Sequence, residues 1–162
     1  STLNVIVNSK GLTTAAVPLQ IRARAPGLLA PAAFKPADKQ YVVAVRPNGT
    51  FVSNGTIAGI PAAPAVPGET VTFYGTGFGS VRNGAIGGQI ASGLAPLIDP
   101  VEVKLDGVSA EVTYAGLTPG LVGVYQFNVR IPDNVPDGDL TLTLTIGGEP
   151  LVSQNLFLSV KR

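Results

Sequence analysis

Four groupings of residues have types and spacings that chemistry could use. In "IPDNVPDGDL" the side chains of Asp133, Asn134, Asp137 and Asp139 gather oxygen atoms in one short turn. A hard cation such as calcium takes about six to eight oxygen ligands from this kind of cluster. The register is not that of an EF-hand loop and no Glu closes it, and Pro136-Asp137-Gly138-Asp139 also reads as an ordinary turn. Calcium at Asp133, Asp137 and Asp139 and a plain turn both stay open, and no metal ligand is assigned. The second grouping is "GETVTFYGTGFGS" (Gly68–Ser80), where Gly75, Gly77 and Gly79 alternate. A phosphate cradle needs such glycines to lead into a helix N-terminus. The next stretch, "SVRNGAIGGQIASGLAP", cannot start a stable helix, so the glycines are expected to kink or bulge a strand and turn Phe78 into the core. Third, ten acids are present, and a glycosidase needs only two that converge. Glu102 and Glu111 fall on outward positions of alternating strands and the others in turns, so no pair is forced together. Fourth, the long segment Gly79–Pro100 carries Arg82, Asn83, Gln89 and Asp99. Long loops on sandwiches often carry contacts, so these four are the candidate partner-contact residues.

The missing residue types narrow the chemistry further. The chain has no Cys, His, Met or Trp. Disulfides, thiolate nucleophiles, Ser-His-Asp catalysis and the usual zinc sites are thereby excluded within it. Carboxylates alone suit hard cations, so neither a catalytic site, a transition metal nor a cofactor is expected. A net charge of +1, with 13% charged residues, gives no electrostatic footprint for nucleic acid. No apolar run approaches the ~20 residues that span a bilayer as a helix. The opening "STLNV" has neither a basic nor an apolar leader region, so a signal peptide is expected to be absent or already removed.

The elements that would position these groups alternate with period two. "YQFNVRI" turns Tyr125, Phe127, Val129 and Ile131 inward, and "LTLTLTI" puts Leu140, Leu142, Leu144 and Ile146 behind a stripe of Thr141, Thr143 and Thr145. "TVTFY" buries Val71 and Phe73, and "VEVKL" buries Val101, Val103 and Leu105 while showing Glu102 and Lys104 to water. Asn48-Gly49 predicts a tight hairpin between Tyr41–Val45 and Thr50–Ser53. With no amphipathic helix and with Gly and Pro at strand spacing, the fold class is all-β: an immunoglobulin-like antiparallel sandwich preceded by a small β-hairpin subdomain.

An internal repeat bears on the organisation. Thr2–Ile21 overlays Thr141–Val160 without a gap, with Val5 over Leu144, Val7 over Ile146, Val17 over Leu156 and Ile21 over Val160. Both stretches read as strand, turn, strand. The simplest reading makes residues 1–60 a β-hairpin subdomain: the closing hairpin of a preceding repeat plus the Tyr41–Ser53 hairpin. Residues 61–67 would be a Pro/Ala linker and 68–162 the sandwich. The hairpins Leu3–Ile21 and Tyr41–Ser53 are expected to pack on each other, since each lacks a cover. Unpaired edges there would also permit a homo-dimer.

A resemblance extends this reading. "PGETVTFYGTGFG", "VEVKLDGVSAEVTYAG" and "YQFNVRIPDNVPDGDLTLTLTIGG" resemble successive strands of immunoglobulin-like IPT/TIG domains. "VTFYGTGFG", "VSAEVTYAGLTPGLVGVYQFNVRIP" and "GDLTLTLTIGG" resemble more closely the C-terminal β-sandwich domain of Solibacter-type acidobacterial secreted proteins, as does the lead-in "AVRPNGTFVSNGTIAGIPAAPAVPGETV". The resemblance implies a sandwich at the end of a long secreted or cell-surface bacterial protein, and no catalytic residues. The leading expectation is a non-catalytic structural or interaction module, meeting protein or glycan through surface loops. The alternatives are a carbohydrate- or ligand-binding sandwich and a carboxylate glycosidase.

Overall fold

The structure is a computed structural model that describes residues 1–55, 57, 59–82, 87–151 and 154–162. In chain order its strands are β1 (Thr2–Val5), β2 (Asn8–Ser9), β3 (Leu12–Thr13), β4 (Val17–Gln20) and β5 (Gly27–Leu28). Two 3-10 turns stand after β5, at Ala32–Phe34 and Pro36–Asp38. Next come β6 (Ala44–Val45), β7 (Phe51–Val52), β8 (Ala62–Ala63), β9 (Thr70–Thr76) and β10 (Ala95–Pro96). The chain closes with β11 (Val101–Leu105), β12 (Val108–Leu117), β13 (Tyr125–Arg130), β14 (Gly138–Ile146), β15 (Glu149–Pro150) and β16 (Leu156–Val160).

Twelve of these strands, β5 to β16, form one curled sheet folded into two layers. One layer runs from β12 through β13 and β9 to β6 and β7. The other holds β11, β14 and β16. The long strand β12 belongs to both: Val108–Ala110 pair with β11, and after a register shift between Val112 and Tyr114 the strand continues along β13. A bulge of this kind bends a strand and lets it change layers. Asp106-Gly107, both at positive φ, make the two-residue turn that joins β11 to β12. The fold is an immunoglobulin-like β-sandwich. Val71, Phe73, Val103, Phe127, Leu142 and Leu144 all lie inside it, as their alternation requires, and Tyr125 is buried with them.

The lead-in to the sandwich departs from the expected division. Residues 61–67 are not a free linker, and the Tyr41–Ser53 hairpin does not pack on the N-terminal one. The hairpin itself forms at Asn48-Gly49, with Asn48 Oδ1 accepting from the Thr50 amide and hydroxyl. Yet Ala44 and Val45 pair with Phe73 and Thr72 of β9, and Val42, Ala44 and Val52 enter the sandwich core. Ala62–Ala63 pair with β7, and Ala65 bridges Val160 at the outer edge of β16. The physical reason is edge satisfaction. Without the lead-in, β9 and β16 would each present a row of unpaired peptide groups. Pro61, Pro64 and Pro67 are compatible with this placement because Pro is tolerated at a sheet edge. The N-terminal hairpin β1–β4 forms, with Leu3 opposite Leu19 and Val5 opposite Val17, but every residue from Ser1 to Ala23 is exposed.

The alternating glycines answer to the same segment. Gly27 and Leu28 pair with Thr76 and Gly75, and the Ala25 amide donates to Gly77 O. A Cβ on Gly75 would stand 2.5 Å from Gly27 O, and one on Gly77 only 2.1 Å from Ala25 O. The glycines let one backbone run directly on another, and Phe78 does turn into the core, 4.6 Å from Phe127 between ring centroids. Gly77 also sits at φ +77°.

This close packing can be tested at single positions. Gly77→Ala should destabilise by about 2–3 kcal/mol, against about 1 kcal/mol for Gly120→Ala, which has a similar φ but open space around it. Denaturant midpoints at unchanged m-value would measure both. Removing residues 1–22 should move the melting temperature of the sandwich by less than about 2 °C, and a larger drop would show that the hairpin supports it.

Candidate functional site

A group of half-buried and buried polar side chains sits where the lead-in crosses the sandwich. Asp139 begins β14, and its carboxylate accepts from Lys39 Nζ at 3.1 Å. Tyr41, beside β16, also donates its hydroxyl to Asp139 and accepts from Asn54 Nδ2 at 2.9 Å. Ser159, buried on β16, supplies a further hydrogen bond to the carboxylate. Lys39 lies 5.5 Å from the centroid of the Phe157 ring, which Tyr41 also meets. Beside this network is a hollow of about 480 Å³, lined by Asn54, Pro64, Asp137, Asp139, Ser159 and Lys161 among others.

The electrostatics make this network a clasp and not an acid–base pair. Burial pushes the Tyr41 hydroxyl well above its ordinary range, and the hydrogen bond and charge of Asp139 push the same way, against Asn54. Burial would also raise Asp139, but the Tyr41 and Lys39 hydrogen bonds, the Lys39 charge and Ser159 together hold its carboxyl below the usual range. Near neutral pH the phenol keeps its proton and the carboxylate stays ionised. Neither is poised to exchange a proton with a substrate.

Several other carboxylates are similarly occupied. Asp133 takes Arg130 at 3.1 Å, and Asp137 takes Arg162 through both its amide and its guanidinium. Asp133, Asp137 and Asp139 thus turn to three different basic residues instead of to one centre, and among the described residues no three acids gather as metal ligands. Glu69 holds Arg46, whose guanidinium also donates to Phe51 O and Pro64 O. Asp106 accepts from the Thr141 amide.

Of the four sequence-predicted contact residues, the three described ones, Arg82, Gln89 and Asp99, have separate surroundings. Asn83 lies outside the described residues. Asp99 accepts from Arg24 Nη1 at 2.8 Å and so anchors the lead-in. Arg82 is exposed, its amide tied to Pro96 O. Gln89 is exposed at a hollow of about 310 Å³ that Gly79, Val81, Leu117 and Tyr125 also line. The Tyr125 hydroxyl donates to Gly79 O at the base of that loop. Tyr114 donates to Leu117 O and accepts from the Ala95 amide, so both tyrosines tether the long loop, in line with a packed, hydroxyl-tied role.

Next to Gln89 stands an apolar rim that the sequence pattern did not disclose. The Ala91 amide donates to Leu121 O, and the Gly120 amide donates to Ala91 O. These bonds bring the 87–94 segment against the β12–β13 turn, where Ile90, Leu94, Leu121 and Val122 are all exposed. The signal was present as apolar residues inside a Gly- and Ser-rich loop with no alternation to bury them.

No family model and no curated protein matches the chain. Among solved structures, it is similar to the crystal structure of the Lin-41 filamin domain, at 19% identity and a TM-score of 0.36, over 61% of this chain and 83% of that one. No helix among the described residues is long and apolar enough to cross a membrane.

The clasp has a pH signature. Asp139 has a folded pKa below its unfolded value, so its stabilisation is complete above the ordinary carboxylate range and is lost as pH falls through the folded value. Asp139→Asn should therefore cost about 1–2 kcal/mol at pH 7, the difference from the parent protein narrowing steadily below about pH 4. Denaturant titrations across that window test it, and a constant difference would refute the assignment. Calcium at millimolar concentration should leave the melting temperature within about 1 °C. A larger rise, abolished by Asp137→Ala, would make the turn a cation site.

Proposed function

We propose that this sandwich is a non-catalytic structural and interaction module of a secreted or cell-surface bacterial protein. In keeping with the sequence resemblance, we place it with the terminal sandwich domains of Solibacter-type acidobacterial proteins, related to IPT/TIG domains. The observation that carries the interaction reading is the exposed rim of Ile90, Leu94, Leu121 and Val122. Grouped apolar side chains on a loop end mark contact surfaces more often than isolated ones do. The half-buried ion pairs of Arg24, Lys39 and Arg46 serve the fold, so the rim, which needs no charge, is the surface of the sandwich proposed to meet a partner. That partner is a protein. All ten Tyr and Phe residues are buried or half-buried, so no exposed ring offers the stacking platform on which a sugar would sit.

The test is a binding screen of the intact parent protein against extracellular proteins and glycans. Binding to a protein should fall at least tenfold in an Ile90→Ser/Leu121→Ser variant, equal to about 1.4 kcal/mol, with no change in melting temperature. Retained affinity in that variant, glycan binding in its place, or turnover of a glycan would overturn the reading.

A further inference from the structure

The N-terminal hairpin is amphipathic, and nothing among the described residues covers its apolar side. Leu3 stands opposite Leu19 and Val5 opposite Val17, so these four share a face, while Thr2, Asn4 and Gln20 share the other. Gln20 Nε2 donates to Thr2 Oγ1 on that polar face. The apolar four are 58%, 51%, 38% and 54% exposed for Leu3, Leu19, Val5 and Val17 respectively. Their counterparts in the repeat are dry. Leu142, Leu144, Leu156 and Leu158, the residues that overlay Leu3, Val5, Val17 and Leu19, are at most 6% exposed. They close the sandwich, with β14 paired to β11 on its far edge and to β16 on the other. The registers are not identical: Leu142 pairs with Leu156, where the overlay would give Leu158. The offset is an even step, which keeps the same residues on the same face.

We infer that hairpin 2–21 is the closing hairpin of a second β-sandwich, of the same architecture as residues 24–160 and lying ahead of it in the same polypeptide. The apolar layer of that sandwich covers Leu3, Val5, Val17 and Leu19, and a strand equivalent to β11 pairs with the free edge of β1. A second copy of this chain is not the occupant, because its closing position is already filled by β14 and β16. This goes beyond the proposed function, since it concerns neither the rim nor the location of the protein.

The proposed cover can be supplied directly. Residues 24–140 are placed ahead of Thr2 of the intact chain, so that Thr2–Ile21 come after Leu140 where Thr141–Val160 normally do. In a control, residues 2–21 of that extended chain are replaced by the sequence of 141–160. Amide exchange is then read at Leu3, Val5, Val17 and Leu19. The expected result is that both extended chains form two sandwiches, and that exchange at these residues slows at least ~100-fold relative to the 162-residue chain. Leu3→Ser/Leu19→Ser in the extended chain should restore fast exchange and leave the second sandwich folded. A folded control beside an extended chain whose hairpin stays unprotected would overturn the inference. So would a 162-residue chain that is already a dimer with those amides protected.

Discussion

Every layer of this structure depends on one constraint, that a sheet edge must find partners for its peptide groups. The two-layer sandwich has edges at β9 and at β16, and the polypeptide preceding it satisfies both. Gly27, Leu28, Ala44 and Val45 hydrogen-bond along β9. Along β16, the Val42 amide donates to Phe157 O and the Phe157 amide to Gln40 O, and Ala65 bridges Val160 further on. Gln154 extends the pattern with a side chain, its amide accepting from Leu28 N and donating to Leu28 O as another strand would. Because the covering backbone lies so close, Gly75 and Gly77 have no room for a Cβ. The glycine alternation is therefore a consequence of edge covering, and the phosphate-cradle reading has no place in it.

The same constraint explains where the charges went. A lead-in that crosses both layers must be fixed at several points, and three ion pairs do so: Arg24 with Asp99, Lys39 with Asp139, and Arg46 with Glu69. Each joins residues far apart in sequence. Such pairs gain little when exposed, but the guanidinium of Arg46 also satisfies backbone carbonyls that would otherwise be orphaned next to the core. The candidate contact surface is an apolar rim, which needs no charge.

Much of the sandwich was legible in the sequence because burial in a strand writes itself as alternation. Phe127, Val129, Leu142 and Leu144 are inward in the sequence and inward in the fold, and Phe78 enters the core at the glycine kink. The lead-in was not legible, for a physical reason. Its strands are two residues long, too short to show a period. Pro-Ala stretches such as Ile60–Gly68 look the same whether they run free or lie along an edge. Among site residues, Asp99 illustrates the limit. A lone acid in a long loop carries no mark of the Arg24 that claims it from 75 positions away. The rim is hidden for a related reason: Ile90 and Leu121 belong to two separate loops that meet only through backbone bonds, and a backbone bond leaves no trace in residue type.

The two hairpins of the repeat sharpen what alternation can and cannot say. Thr2–Ile21 and Thr141–Val160 carry the same inward pattern, yet one face is wet and the other dry. Alternation therefore records that a face needs a cover, and the identity of the cover lies elsewhere in the sequence. For Thr141–Val160 it lies in β9 and β13, whose own inward residues fill the space opposite. For Thr2–Ile21, the segment that looked most able to supply it, Tyr41–Ser53, is drawn instead to β9, because seven residues of open strand edge offer a ladder that an isolated hairpin cannot match. Competition for edges, more than hydrophobic pattern, decides which faces in this chain end up covered.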